Sequence, residues 1–459
     1  MLMMFATLAL LTLYACLGVG GVLLLRRPGR RVAGAVLLAQ ALLLLGAQIA
    51  LSTLPFGIGE PLIRVRFTET LLQAALALAA VLGVGVLAWW AGPRLAARLA
   101  GMRRPGLAAG ALLALLPLLA AAGMAGMVRA SLPERERERD PRKRQIALPP
   151  GFQWSVYAQG AIDNPTTIAF GPDGRLYIGD IAGSLWVASD GDGDGQAETV
   201  SQWAGGFDLL VGLAWRGDEL FTSSSGKIEA LRDSDGDGQA DQRRTVVEGL
   251  PSMVLRPHSN NALAFGPDGR LYFGVGSTTS GDYEPEPLAA SVLSVNPDGS
   301  DLQVFARGFG NTFGVAFNRD GQLFGGDNSP GGEDEPDEFN HIIKDGHYGY
   351  PYFYGDPAKN NGTVGALGIF PAHSSPTGMS FYSGDTFPQE YRDSAFVALW
   401  ARGDLARVEV ARTSGGQYLS RVSTFGTGFL SPIGAITGPD GNLYVADFGT
   451  SAVYRITYE

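Results

Sequence analysis

The sequence predicts two unlike parts: a membrane α-helical N-terminal region of four transmembrane helices, and an all-β six-bladed propeller. Three observations carry this reading. Four apolar runs, at 1–25, 33–54, 70–90 and 107–128, contain no charged residue. From about residue 145 the texture changes, and glycine, proline and aspartate punctuate short β-rich runs. Within that second part a strand–turn–strand phrase recurs at spacings of 45, 50 and 52 residues.

Each apolar run has about the 20 residues that a helix needs to cross a hydrocarbon core. Buried soluble helices are the alternative, and four in succession would need a very large soluble core. The loop at 26–31 carries four arginines and the third loop carries Arg94, Arg98, Arg103 and Arg104, whereas the second holds only Arg64 and Arg66 beside Glu60. Arginine-rich short loops stay cytoplasmic. The expected topology is therefore a multi-pass protein of the cytoplasmic (inner) membrane, with both termini and the propeller on the periplasmic side. A cleaved signal peptide would place positive charge before its apolar stretch, and here the charge follows it. The expected domains are a transmembrane region at 1–128, a charged juxtamembrane linker at 129–147 and the propeller at 148–459.

Charge separates the same two parts. Residues 1–144 hold 17 basic and 6 acidic side chains, a net +11, while the whole chain is −10, which leaves −21 for the remainder. Nucleic acid is excluded as a partner for a surface this acidic, because its phosphates would be repelled. The single cysteine, Cys16, permits no intrachain disulfide.

The recurring phrase reads IAFGPDGRLYIGD around Asp173, LAWRGDELFTSS around Asp218, LAFGPDGRLYFGVG around Asp268, VAFNRDGQLFGGD around Asp320 and AITGPDGNLYVAD around Asp440. A weaker relative, YRDSAFVALW, fills the wide gap before the last. Apolar alternation broken by an Asp-Gly turn predicts a hairpin. A period of 40–50 residues with several strands per unit is the signature of a propeller, and some 315 residues at about 50 per blade makes six. The aspartates of the turns read as structural.

Two further loops are acidic at alternate positions. Residues 190–198 read DGDGDGQAE and 233–241 read DSDGDGQAD. The first offers Asp190, Asp192, Asp194 and Glu198, and the second Asp233, Asp235, Asp237 and Asp241. Carboxylates so spaced converge on one point, the coordination that Ca²⁺ prefers. The twelfth position, Ser201 or Arg244, is not the bidentate glutamate of an EF-hand. A solvated acidic turn is the alternative.

Three further stretches carry a family resemblance: GSDLQVFARGFGNTFGVAFNRDGQLFGGDN, DEFNHIIKDGHYGYP and HSSPTGMSFYSGDTFPQEYRDSAFVALW. From about residue 148 to 458 the chain resembles the pyrroloquinoline-quinone (PQQ) dependent sugar dehydrogenases, the soluble glucose dehydrogenase and sorbosone dehydrogenase propellers. The resemblance implies a PQQ cofactor, Ca²⁺, and a sugar or other alcohol as substrate. It makes His258 the base that takes the proton from the substrate hydroxyl, a task suited to an imidazole. Asn311 matches an asparagine beside the cofactor. Gly310 stands where the family has an arginine, and the last blade lacks the family's cationic partners for the PQQ carboxylates. Arg402 and Arg407 are the expected substitutes. The stretch 327–340 matches the calcium-bearing loop, which makes Asp327, Asp337, Glu338 and Asn340 candidate ligands.

Three functions follow. The first is a membrane-anchored, periplasm-facing dehydrogenase of a sugar or related alcohol, delivering electrons to a respiratory acceptor. The second is a binding propeller that has lost the cofactor. The third is a calcium-dependent lactonase-type hydrolase, in which one metal polarises an ester.

Overall fold

The repeated phrase folds as the inner hairpin of each blade. The computed structural model describes residues 139–252, 259–279, 281–328, 334–353 and 362–459. Among them are six four-stranded antiparallel sheets. The inner strands are Pro165–Phe170, Gly212–Arg216, Asn260–Phe265, Thr312–Phe317, Pro376–Phe381 and Pro432–Thr437, defining blades 1 to 6 in that order. Each packs on the inner strands to either side, around the full ring. Blade 6 is built from both ends of the domain: its outer strand is Phe152–Gln159, paired antiparallel with Ala452–Tyr458 from Phe152↔Tyr458 to Gln159↔Ala452. The four apolar runs and their topology lie outside the described residues. Among the described residues no helix is long and apolar enough to cross a membrane.

Packing of the domain starts before its first strand. Ala147 forms a bridge with Thr427 of blade 5, Ile146 is buried, and the Arg144 guanidinium donates to the carbonyls of Gly428 and Phe429. The chemistry of the turns explains their recurrence. In the turns at Asp173, Asp268 and Asp440 one carboxylate oxygen accepts the N–H two residues on, and the other accepts the hydroxyl of Tyr177, Tyr272 or Tyr444. The tyrosine ring then lies across the glycine that opens the turn. A Cβ on Gly438 would sit 2.4 Å from Tyr444 Cε2, and one on Gly171 would sit 2.6 Å from Tyr177 Cε2. Gly-Pro-Asp-Gly with a downstream tyrosine is thus one packed unit, and its aspartates are structural.

All six inner strands begin at the same end of the ring, called here the entrance face. The connection from second to third strand, which lies on this face, is short in blades 1, 2, 5 and 6. It is long in blades 3 and 4, where it runs between Val275 and Ser291 and between Asp327 and Pro336. The longest connections on the entrance face therefore belong to blades 3 and 4.

Candidate functional site

At the entrance of blade 4 the segment 310–312 is held by one carboxylate. Asp327, at the end of the second strand, accepts from Gly310 N at 2.9 Å, Asn311 N at 2.9 Å and Thr312 Oγ1 at 3.2 Å. Asp447 plays the same part in blade 6, where its carboxylate accepts the N–H groups of Leu430, Ser431, Gly449 and Thr450. Asp327 is thus a blade staple as well as a candidate ligand. Its carboxyl is pushed well above the ordinary range, first by burial and then by the Glu338 carboxylate; the bonds from Gly310, Asn311 and Thr312 oppose that shift.

Strand alternation divides the four expected ligands. Asp327 is the cross-strand partner of Glu338, and Asn340 lies two residues further along the same face. All three are buried, and Asn340 Nδ2 donates to Glu338 Oε2 at 3.0 Å. Asn340 Oδ1 is buried with no hydrogen-bond partner. Asp337 projects from the opposite face, where its Oδ2 accepts from Ser375 N of blade 5 at 2.8 Å. The structure therefore groups Asp327, Glu338 and Asn340 and sets Asp337 apart as an inter-blade tie. Two carboxylates on one buried face need a shared proton or a cation between them. An orphaned amide oxygen beside them fits a hard cation.

Arg407 is a correction. It sits in the third strand of blade 5, where Nε donates to Ser394 Oγ and Nη2 to the Glu390 carbonyl, and its guanidinium lies 4.1 Å from the Tyr391 ring centroid. These partners are at the end opposite the entrance face, so Arg407 cannot meet a ligand beside Asn311. Arg402 is on the entrance face, but its Nε is paired with Asp404 at 3.0 Å. Lys227 on that face is paired with Glu229, and Arg307 donates to the Pro287 carbonyl. His258, the expected base, lies outside the described residues. Among the described residues, then, the chain offers a hydrogen-bond donor in Asn311 and an oxygen-rich cation site. Of the cations on that face, Arg402 and Lys227 are paired with carboxylates and Arg307 bonds a backbone carbonyl.

Two features of the site escaped the sequence reading. Asn261 donates through Nδ2 to Asn311 Oδ1 at 2.8 Å and to the Thr312 carbonyl at 3.1 Å. The Tyr350 hydroxyl meets Thr279 Oγ1 and accepts from Gly281 N at 3.2 Å, stitching the chain after the third strand of blade 4 to the long loop of blade 3. Two residues beyond each end of that stitch, Tyr283 is 72% and Tyr352 is 68% exposed. The signal for Asn261 was the doubled asparagine at the start of a strand, a residue type uncommon in strands.

The acidic loops join the third strand to the outer strand of blades 1 and 2, and fold alike. In the first, Asp190 accepts from Gly193 N and Gly195 N, and Glu198 from Gly191 N. In the second, Asp233 accepts from Gly236 N and Gly238 N. Carboxylate oxygens of Asp190, Asp192, Asp194 and Glu198 all lie within 4.8 Å of one another, as do those of Asp233, Asp235 and Asp237. Asp241 is not in the second group. Its two oxygens are taken by the N–H and hydroxyl of Ser234, and those bonds hold its carboxyl below the ordinary range. Glu198 has one more methylene and faces Gly191, which has no hydroxyl.

Comparison with known proteins agrees with the architecture. The profile described as a domain of unknown function, DUF7133, matches residues 140–455. An uncharacterized protein of Borreliella burgdorferi is 25% identical over 358 residues, covering 68% of this chain and 91% of its own length. The PQQ domain of pyranose dehydrogenase from Coprinopsis cinerea, in its holo form, superposes with a TM-score of 0.60 at 18% identity, over 69% of this chain and 98% of that one. The PQQ-bound aldose sugar dehydrogenase of Streptomyces coelicolor gives 0.54 at 20% identity, over 68% and 100%. At these identities the likeness establishes the fold.

Proposed function

We infer, for a chain that belongs to the DUF7133 family, that its propeller is a PQQ- and calcium-dependent dehydrogenase of a sugar or related alcohol. The observation that carries this is the entrance of blade 4. There Asn311 is held at its backbone by Asp327 and at its side chain by Asn261, next to a buried face of Asp327, Glu338 and Asn340 whose oxygens suit a cation. Its fold neighbours include PQQ-bound sugar dehydrogenases.

In this reading Glu338, Asn340 and Asp327 hold Ca²⁺, and Asn311 donates a hydrogen bond to the cofactor. PQQ, when bound, accepts the hydride of the alcohol carbon. His258 takes the hydroxyl proton, as a base near neutrality can. Tyr283 and Tyr352 offer exposed rings to the apolar C–H faces of a sugar. The apolar runs at 1–25, 33–54, 70–90 and 107–128 anchor the propeller on the periplasmic side of the inner membrane, close to a respiratory electron acceptor.

A second reading, a binding propeller without the cofactor, is favoured by one observation. Gly310 leaves the PQQ carboxylates without the arginine of the resembling family, and Arg402 and Arg407 are committed elsewhere. The deciding experiment soaks the purified full chain with PQQ and Ca²⁺ and offers it sugars with an artificial electron acceptor. Acceptor reduction that depends on both additions is expected. Failure to bind PQQ by titration overturns the dehydrogenase in favour of the binding propeller.

A further inference from the structure

The second residue of the inner strand clasps the next blade in blades 1, 3 and 5. In blade 1 the Thr166 hydroxyl reaches the Leu210 carbonyl of blade 2 as well as the Gly179 carbonyl of its own blade, and in blade 5 the Thr377 hydroxyl is shared between the Ala398 carbonyl of its own blade at 3.1 Å and the Pro432 carbonyl of blade 6 at 3.4 Å. In blade 3 the residue is Asn261, whose Nδ2 donates to the Thr312 carbonyl of blade 4 at 3.1 Å. The corresponding residues of blades 4 and 6 are the apolar Phe313 and Ile433. The clasp itself therefore needs only a threonine. An asparagine in blade 3 adds a second N–H, and that one goes to Asn311 Oδ1 at 2.8 Å.

This pair of bonds settles the orientation of both amides. The Thr312 carbonyl can only accept, so the atom of Asn261 that faces it is the nitrogen. The same nitrogen faces Asn311, so Asn311 must present its oxygen there. Asn311 Nδ2 consequently points away from Asn261, and among the described residues it has no hydrogen-bond partner. Its backbone cannot turn to compensate, because Asn311 N is fixed on Asp327 and Asn311 O accepts from Asn328 N at 3.2 Å.

We propose that Asn261 is a positioning residue that locks the Asn311 carboxamide with its N–H₂ edge presented to the ligand at the entrance of blade 4, so that the site selects a hydrogen-bond acceptor such as a quinone carbonyl or a carboxylate. The choice of ligand rests on the dehydrogenase reading. The locking does not.

The test uses the full chain in detergent with Ca²⁺. Asn261→Thr copies blades 1 and 5, keeping the clasp and releasing Asn311. Loss of one oriented hydrogen bond should weaken PQQ binding about three- to tenfold, and lower the melting temperature measurably, since the bond to Asn311 is buried. Asn261→Ala should lower the melting temperature further, because the clasp is lost too. Asn311→Ala should weaken PQQ binding to the same degree as Asn261→Thr, and the double variant no further. Wild-type affinity in Asn261→Thr, or additive losses in the double variant, would overturn the proposal. If wild type itself binds no PQQ, the dehydrogenase reading fails. The proposal is then decided by melting the ligand-free proteins: non-additive effects of Asn261→Thr and Asn311→Ala sustain it, and additive effects overturn it.

Discussion

Ala197, inside the first acidic loop, donates its N–H to the carbonyl of Tyr157 at 2.7 Å. Tyr157 belongs to the outer strand of blade 6, so this loop of blade 1 holds the outer strand of the neighbouring blade. Ala240 of the second loop makes the equivalent bond to the Trp203 carbonyl in the outer strand of blade 1, at 2.9 Å. Ca²⁺ bound only by the folded loops stabilises the protein by mass action, about 2.7 kcal/mol at a hundredfold excess over Kd. Chelation is therefore expected to lower the melting temperature. Asp233→Ala with Asp235→Ala should remove part of that response, and Asp190→Ala with Asp192→Ala another part. Melting curves that ignore the chelator would refute cation binding at both loops.

His258→Ala should reduce dehydrogenase turnover about 10²–10⁴-fold, the usual contribution of a general base, and leave the melting temperature unchanged. Gly310→Arg supplies the side chain that the resembling family has there. A charge-assisted bond to a PQQ carboxylate should tighten binding about tenfold or more. A variant that melts like wild type yet titrates PQQ no more tightly would show that the arginine's role does not transfer to this chain.

Most of the architecture was legible because its signals are local. The Gly-Pro-Asp-Gly turn with its tyrosine is confined to a few residues, so repetition exposed the blades, including the weak one ending at Trp400. The site was less legible because it depends on which end of a strand a residue occupies. Arg407 and Arg402 are five residues apart in sequence, yet only Arg402 is on the entrance face. The division of Asp337 from Glu338 was readable in principle, since neighbours on a strand face opposite ways. The exclusion of Asp241 was not, because it turns on a serine hydroxyl that competes for the carboxylate.

The Gly438 turn gives a packing prediction. Tyr444 is fixed by its bond to Asp440 and by edge-to-face contacts with Tyr157 and Phe170 at 4.9 and 4.8 Å. Gly438→Ala must push that ring and should cost about 1–3 kcal/mol. Gly434→Ala, whose Cβ would meet nothing nearer than Ile168 Cγ1 at 3.8 Å, should be tolerated. Equal melting temperatures for the two variants would refute the packing argument.

Acid sensitivity should report on Glu219. Both of its oxygens accept from Arg244 at 2.9 Å, and that pairing, more than any other cause, holds its carboxyl below the ordinary range. A depressed carboxylate stabilises the fold above its unfolded pKa, and the contribution disappears as pH falls through the lower folded value. Glu219→Gln should thus lower stability at neutral pH by less than about 1 kcal/mol, the pair being partly exposed, and flatten the decline below pH 4.5, the unperturbed value. An acid limb identical to that of wild type would argue against the assignment.

Topology is open to reporter fusions. An alkaline-phosphatase fusion after Arg144 should be active and one in the loop at 26–31 inactive, as the arginine asymmetry requires. The opposite pattern would place the propeller in the cytoplasm.

The last blade takes its outer strand from Phe152–Gln159 and its other three from Pro432–Tyr458. During synthesis the first of these strands emerges long before its partners, and its edge stays unpaired until Ala452–Tyr458 arrive. Contacts so distant along the chain impose a large loop-closure entropy and make for slow folding. The growing chain thus has an exposed β-edge, open to wrong pairing or capture by a chaperone, until its last strand is in place. Premature termination even a few residues before Ala452 would leave that edge open for good.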